Sequence, residues 1–241
     1  GNGSAIYNSM GGLGTGVIHN NNVNFINPAS YSFLHKTSFE FGVKTSFINM
    51  REMDLEQNNI VSTLSHLSLG FPIAEKVGFA VSLLPYSSVG YQLSTTENIL
   101  VNMGDINESR ETQSDYSGSG GINNMTFGLA WQIQPSISIG LNLNYFFGNI
   151  ERETVIFTSD SPNYFRNKID KIIRGINLDL GFLYHKDVQI ICQDCNLNLG
   201  FNFTPKKDIS ATEQRIQSTY LGPIFDNNNS ETINEERVSG N

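Results

Sequence analysis

Ile137-Ser138-Ile139-Gly140-Leu141-Asn142-Leu143-Asn144-Tyr145-Phe146-Phe147 is the stretch that decides the fold. Its odd positions are large and apolar, and from 138 to 144 its even positions are Ser, Gly or Asn. A period of two places alternate side chains on opposite faces of a strand. One face of this strand seeks an apolar phase and the other a polar or closely packed one.

The same parity recurs outward in both directions. Met125, Phe127, Leu129, Trp131 and Ile133 precede it across the turn Gln134-Pro135-Ser136. Upstream lie Phe39, Phe41, Val43, Thr45 and Phe47; then Leu67, Leu69, Phe71 and Ile73; then Val77, Phe79, Val81 and Leu83, running on towards Val89, Tyr91 and Leu93. Downstream come Ile176, Leu178, Leu180, Phe182 and Tyr184, then Leu197, Leu199, Phe201 and Phe203. Seven strands follow from this pattern. Short turns fall at 74–76, 134–136 and 185–195; long polar connections fall at 51–61, 104–120, 150–172 and after 205. Aromatic residues such as Tyr86, Tyr91, Tyr145 and Tyr184 stand near strand ends. Strand length near ~9–11 residues, aromatic ends and alternating short and long connections are marks of a transmembrane antiparallel β-barrel.

Composition supports this reading. The chain has 241 residues and a net charge of -8, with 16% charged and 39% hydrophobic residues. Roughly a quarter charged is usual for a water-soluble domain. A barrel needs apolar residues at only every second strand position. No run approaches the ~18 apolar residues of a membrane helix. The acidic balance argues against nucleic acid, which is met by basic stripes. The chain opens on Gly1-Asn2-Gly3-Ser4 with no leader, as expected of a processed, exported protein.

Residues 1–34 differ from the rest. Met10-Gly11-Gly12-Leu13-Gly14-Thr15-Gly16 is too flexible for a helix, and Asn20-Asn21-Asn22 and Asn27-Pro28-Ala29-Ser30 read as turns. Such a segment cannot build its own core and needs walls. Three parts follow: 1–34 as a hatch inside the barrel, 35–225 as strands with extracellular loops, and 226–241 as a polar loop of a chain that continues. Asn27, Pro28 and Ala29 form the hatch motif, with the Asn27 side chain expected on backbone partners. The outward-facing set is Phe39, Phe41, Phe47, Leu69, Phe71, Phe79, Phe127, Trp131, Leu141, Leu180, Phe182, Leu199 and Phe201.

No reactive grouping emerges. Cys192-Gln193-Asp194-Cys195 is the only cysteine pair, and it could close a local disulfide near a periplasmic turn or remain two free thiols. A zinc site would lack two ligands, with His185 the one candidate nearby. His19, His35, His66 and His185 show no metal spacing, and His66 alternates to the polar face. The glycines at 11, 12, 14 and 16 follow no strand, and Ser119 sits in no nucleophile elbow. The charges at 104–120 and 150–172 read as solvated loop residues. The chain is therefore expected to be neither an enzyme nor a metal or cofactor carrier.

Met10-Gly11-Gly12, the Asn-rich stretch, and Asn24-Phe25-Ile26-Asn27-Pro28-Ala29-Ser30-Tyr31 leading into a strand at Thr37 resemble the FadL-type outer-membrane transporters in their Bacteroidetes form. The resemblance covers the N-terminal half of such a protein. It implies a fourteen-stranded barrel with a luminal hatch, of which seven strands are present. It implies uptake of hydrophobic compounds such as long-chain fatty acids. The alternative is a non-transporting structural or interaction subunit of a larger outer-membrane complex, such as a secretion machinery. Either places the chain in the cell outer membrane, with lipid, a hydrophobic small molecule or other outer-membrane subunits as partners. Seven strands leave two open edges, so later sequence or a neighbouring chain is expected to supply more.

Overall fold

The computed structural model describes residues 5–52, 55–103, 106–158, 163–188, 196–221 and 230–240. It is all-β apart from a short helix α1 (Ala5–Ser9) and a 3₁₀ turn at Pro28–Phe33. Among the described residues no helix is long and apolar enough to cross a membrane.

The strands are β1 (Ser38–Glu52), β2 (Leu55–Ala74), β3 (Val77–Met103), β4 (Ile106–Gln134), β5 (Ile137–Thr158), β6 (Asn163–Asp187), β7 (Asn196–Phe203), β8 (Ser210–Leu221) and β9 (Ser230–Gly240). They form one sheet in the order β1-β2-β3-β4-β5-β6-β8-β9, with β7 also paired to β6. The pairings β1–β2, β2–β3, β6–β7, β6–β8 and β8–β9 are antiparallel.

The chain divides into two compact units. The first comprises 1–86, 123–146 and 176–207; the second comprises 87–122, 147–175 and 208–241. Every alternating stretch from which the fold was read, up to Leu83 and again from Met125, lies in the first, except Phe147.

In the first unit the alternation is expressed as two unlike faces. Phe39, Phe41, Phe47, Leu69, Phe127, Trp131, Leu141, Leu180, Phe182, Leu199 and Phe201 are exposed. Phe71 and Phe79, also expected there, are half-buried against each other, their rings 5.4 Å apart across the β2–β3 pair. The intervening residues are buried: Ser68, Ala80, Ser82, Thr126, Ala130, Ser138, Asn142, Asn144 and Leu183. A soluble sandwich would bury the apolar set; this unit buries the small and polar set.

The second unit corrects the sequence reading. Its stretches 104–120 and 150–172, expected as long loops, are largely strand, as is 51–61 in the first unit. Residues 226–241, expected as a polar loop, contribute β9, and a further strand, β8, lies between Ser210 and Leu221. Among the described residues the sheet has nine strands, where seven were expected. Beyond Val89, Tyr91 and Leu93, polar and aromatic cross-strand contacts support the pairing here. Lys168 Nζ lies 2.9 Å from Glu151, Arg166 pairs with Glu153, and Lys171 Nζ lies 3.9 Å from Glu213. The rings of Tyr164 and Tyr220, directly opposite on β6 and β8, stack at 4.7 Å. Ser94 Oγ donates to Asp115 Oδ1 at 2.6 Å. Each such cross-strand pair contributes roughly 0.2–1 kcal/mol, and several in register extend a hairpin. Asp115, Glu153, Arg166, Lys168 and Lys171, expected to be merely solvated, thus take part in the strand pairing. Between β7 and β8 the chain leaves the ladder at 204–209, where Pro205 has no N–H to donate.

Candidate functional site

The buried face of the first unit is covered by the N-terminal segment. The segment opens with α1, which ends where Gly11 (φ 69°) and Gly12 (φ 84°) take a left-handed backbone. Gly12 N–H donates to the Tyr7 carbonyl at 2.8 Å, closing the helix end. The chain then runs through two Asn-centred turns to β1.

Asn24 is the first of these. It is 1% exposed, and its Nδ2 donates to the carbonyls of Gly14 at 2.7 Å and Val17 at 2.9 Å. Its Oδ1 accepts from the Ile26 N–H at 3.0 Å. Asn27 is the second, and it caps the 3₁₀ turn that Pro28 begins. Its Oδ1 accepts from the Ala29 N–H at 3.0 Å. Its Nδ2 donates to the carbonyls of Thr15 at 2.7 Å and of Phe182, on β6, at 3.0 Å. Pro28 and Ala29 are fully buried beside it. An amide carries donors and an acceptor on one planar group, so one Asn can satisfy several buried backbone groups at once. Without it those carbonyls would be buried unpaired, which is costly.

Glycines on the strands let the segment come this close. A Cβ at Gly78 would meet the Tyr31 carbonyl, and one at Gly140 would meet the Pro28 carbonyl carbon and the Ala29 nitrogen. A Cβ at Gly181 would meet the Asn27 side chain, and one at Gly200 the Thr15 carbonyl. Four strands therefore present a glycine where the segment's own atoms approach. That is the positional meaning of an isolated glycine in a strand.

Val23, Tyr31, Leu34, Ala80 and Ala130 form the apolar seal, with Phe25 packed on it. Around it, polar side chains of the strands meet polar side chains of the segment. Tyr31 Oη donates to Asn142 Oδ1 at 3.1 Å and Ser32 Oγ to Ser138 Oγ at 3.0 Å. Asn202 Nδ2 donates to the Ile26 carbonyl. Glu40 accepts from the Val23 N–H at 2.8 Å and lies 3.5 Å from His66 Nε2. His66 thus sits on the covered face, as its parity predicts. Burial pushes the Tyr7 and Tyr31 phenols well above the usual range, and both stay neutral.

Beside the segment lies a cavity of about 450 Å³, bounded by Tyr7, Phe25, Leu84, Asn124, Asn144 and Asp179 among others. Among the described residues, Asp179 is the one carboxylate on its wall. Both of its oxygens are engaged: Oδ2 accepts from Asn144 at 2.6 Å and Oδ1 from Thr204 at 2.7 Å. Asn144 in turn accepts from Thr126 at 2.7 Å. The carboxylate thus ties β5 to the end of β7 through two side-chain hydrogen bonds. Among the described residues no cluster of three or more His, Cys, Asp or Glu converges as a metal site. His185, the nearest zinc candidate, lies 2.6 Å from Asn198 Oδ1 and edge-on to Phe33. Cys192 and Cys195 lie outside the described residues.

Alternation reasoning placed Asn142, Asn144, Gly140 and Gly200 on the polar face but did not single them out as the segment's partners. The available signal was the run of glycine and Asn at fixed parity on successive strands.

No curated protein and no solved structure matches the chain. A family model described as BamG matches residues 1–240. This match overturns the FadL resemblance, because BamG is a distinct family. The resemblance rested on Met10-Gly11-Gly12 and Asn27-Pro28-Ala29, and the geometry shows why these do not discriminate. A helix end with left-handed glycines and an Asn-capped turn are local solutions to burying any irregular segment. The chain belongs to the BamG family and is an outer-membrane protein.

Proposed function

We propose that this chain is a non-enzymatic β-barrel component of the outer-membrane protein assembly complex, acting through its surfaces and not through a transport pathway. The reading follows the non-transporting alternative. It is supported first by the family match over residues 1–240.

The observation that carries the physical part is the pairing of a bare apolar face with a sealed polar one. Phe39, Phe41, Trp131, Leu141, Leu199 and Phe201 stand exposed on one side of the first unit's strands. An exposed apolar surface of this extent marks contact with a membrane or a partner. In an outer-membrane protein, hydrocarbon covers it, and the Trp131 indole, close to the turn at 135–136, sits towards the interface. On the other side the N-terminal segment acts as an internal hatch, bonded to backbone and side chains of several strands. The hatch stiffens the wall from within, and the outer face is left for lipid and partner subunits.

Conditional depletion tests this reading. Loss of the protein should lower many β-barrel proteins in the outer-membrane fraction together, each several-fold. Uptake of a labelled long-chain fatty acid, scaled to the barrels that remain, should be unchanged. An unaltered outer-membrane proteome with fatty-acid uptake abolished would reverse the conclusion.

A further inference from the structure

The cavity of about 450 Å³ lies wholly within the first unit, between the N-terminal segment and the strands. Tyr7 and Phe25 bound it from the segment; Leu84 of β3, Asn124 of β4, Asn144 of β5 and Asp179 of β6 bound it from the strands. Its volume is in the range of small-molecule sites.

The polar part of its wall is a chain of hydrogen bonds whose direction is fixed from one end. A carboxylate only accepts. Asp179 Oδ2 therefore takes the Nδ2 of Asn144, at 2.6 Å. That turns Asn144 Oδ1 the other way, where it accepts from Thr126 Oγ1 at 2.7 Å and from Asn124 Nδ2 at 3.2 Å. Reversing the Asn124 amide would set two carbonyl oxygens against each other. Asn124 Oδ1 is thus left over: it is buried, and among the described residues it has no hydrogen-bond partner. The hydroxyl of Tyr7 is buried and unpartnered in the same way. A buried polar atom without a partner points to one that is missing.

The missing partner must donate a hydrogen bond. It must also suit a wall whose one charge, among the described residues, is the Asp179 carboxylate, with no lysine, arginine or histidine beside it. The same wall carries apolar and aromatic surface from Phe25, Leu84, Tyr7 and Tyr86. Water would fill the acceptor but leave that surface wet. An anion would be repelled by the carboxylate. An alcohol meets the acceptor and the apolar surface but not the charge. An alkylammonium meets all three, and aromatic faces attract cations as well.

We propose that this cavity binds a protonated primary amine, its ammonium donating to Asn124 Oδ1 beside the Asp179 charge and its carbon chain lying against Phe25 and Leu84. Segment and strands share the wall, so the bound amine holds the segment in place. A free alkylamine and the headgroup of phosphatidylethanolamine both present this group.

Thermal melting of the full chain in mild detergent tests it, with hexylammonium, 1-hexanol and hexanoate as probes. Hexylammonium should raise the midpoint saturably, slow proteolysis of the segment, and bind at least tenfold more tightly than 1-hexanol; hexanoate should give no shift. Asp179→Asn removes the charge and can keep the shape, since its oxygen accepts from Asn144 and its amide can donate to the Thr204 hydroxyl. It should erase the preference for the amine and leave 1-hexanol binding as in the parent. Asn124→Leu should weaken hexylammonium at least tenfold, and it decides if Asp179→Asn fails to fold. Phosphatidylethanolamine in the micelles, compared with phosphatidylcholine, separates the sources: a shift lost in Asn124→Leu assigns the headgroup, and no shift assigns the free amine. Equal affinity for hexylammonium and 1-hexanol, or a preference unchanged in Asp179→Asn, would overturn the proposal and leave an apolar pocket. No saturable shift from either amine would also overturn it and leave a hydrated void.

Discussion

Replacing Asn27 by Ala is expected to release the N-terminal segment from the strands, at a cost of about 2–4 kcal/mol. The side chain satisfies three backbone groups: the Ala29 N–H and the carbonyls of Thr15 and Phe182. Each hydrogen bond contributes roughly 1 kcal/mol net, and a buried group left unpaired costs more. Alanine supplies none of the three and leaves a polar void beneath the strands. Limited proteolysis of the folded protein should then cut between Gly14 and Asn22 much faster than in the parent. Asn27→Asp separates the roles. It keeps the acceptor for Ala29 but cannot donate to either carbonyl, and it buries a charge, so it should be at least as damaging. An Asn27→Ala protein with parental protease resistance and thermal stability would show that the turn contributes little.

The second large effect is expected on the opposite face. Leu141→Arg should strongly reduce the folded protein recovered from the outer membrane, because a cation on the lipid side of a barrel costs about 2–4 kcal/mol near the bilayer midplane. Leu141 is exposed, as are Leu129, Trp131 and Ile139 around it. In water, a charge at an exposed position would matter little, usually within about 0.5 kcal/mol. The two environments thus predict different outcomes for one substitution. Leu141→Phe, which keeps the face apolar, should behave as the parent. Normal insertion and stability of Leu141→Arg, measured by heat-modifiable migration and thermal melting, would remove this face from the membrane.

How much was legible in the sequence follows from what holds each part together. Parity is a local property, so Leu141 outward and Asn142 inward could be read from the residues alone. The glycines at 70, 140 and 200 were legible as small positions. Their partners were not, because the atoms that fill the space arrive from the N-terminal segment over a hundred residues away at Gly140 and Gly200. The strand extensions escaped for a related reason. Arg166 with Glu153 and Tyr164 with Tyr220 are favourable only once the strands are in register, and neither pair leaves a trace in hydropathy. β9 is the extreme case: Glu231, Glu235, Glu236 and Arg237 read as part of a polar loop, yet all four pair in a ladder, opposite Thr219, Ile216, Arg215 and Gln214. The family was misjudged because Asn27-Pro28-Ala29 reports a physical requirement of buried turns and not descent.

The most direct test of the central claim is purification of the native protein, tagged and expressed at its own level, from outer membranes in a mild detergent. The account predicts that it migrates as part of a large assembly and holds the outer-membrane protein assembly machinery in near-constant ratio through successive columns. Migration at the size of a single small barrel, with that machinery absent from the peak, would contradict it.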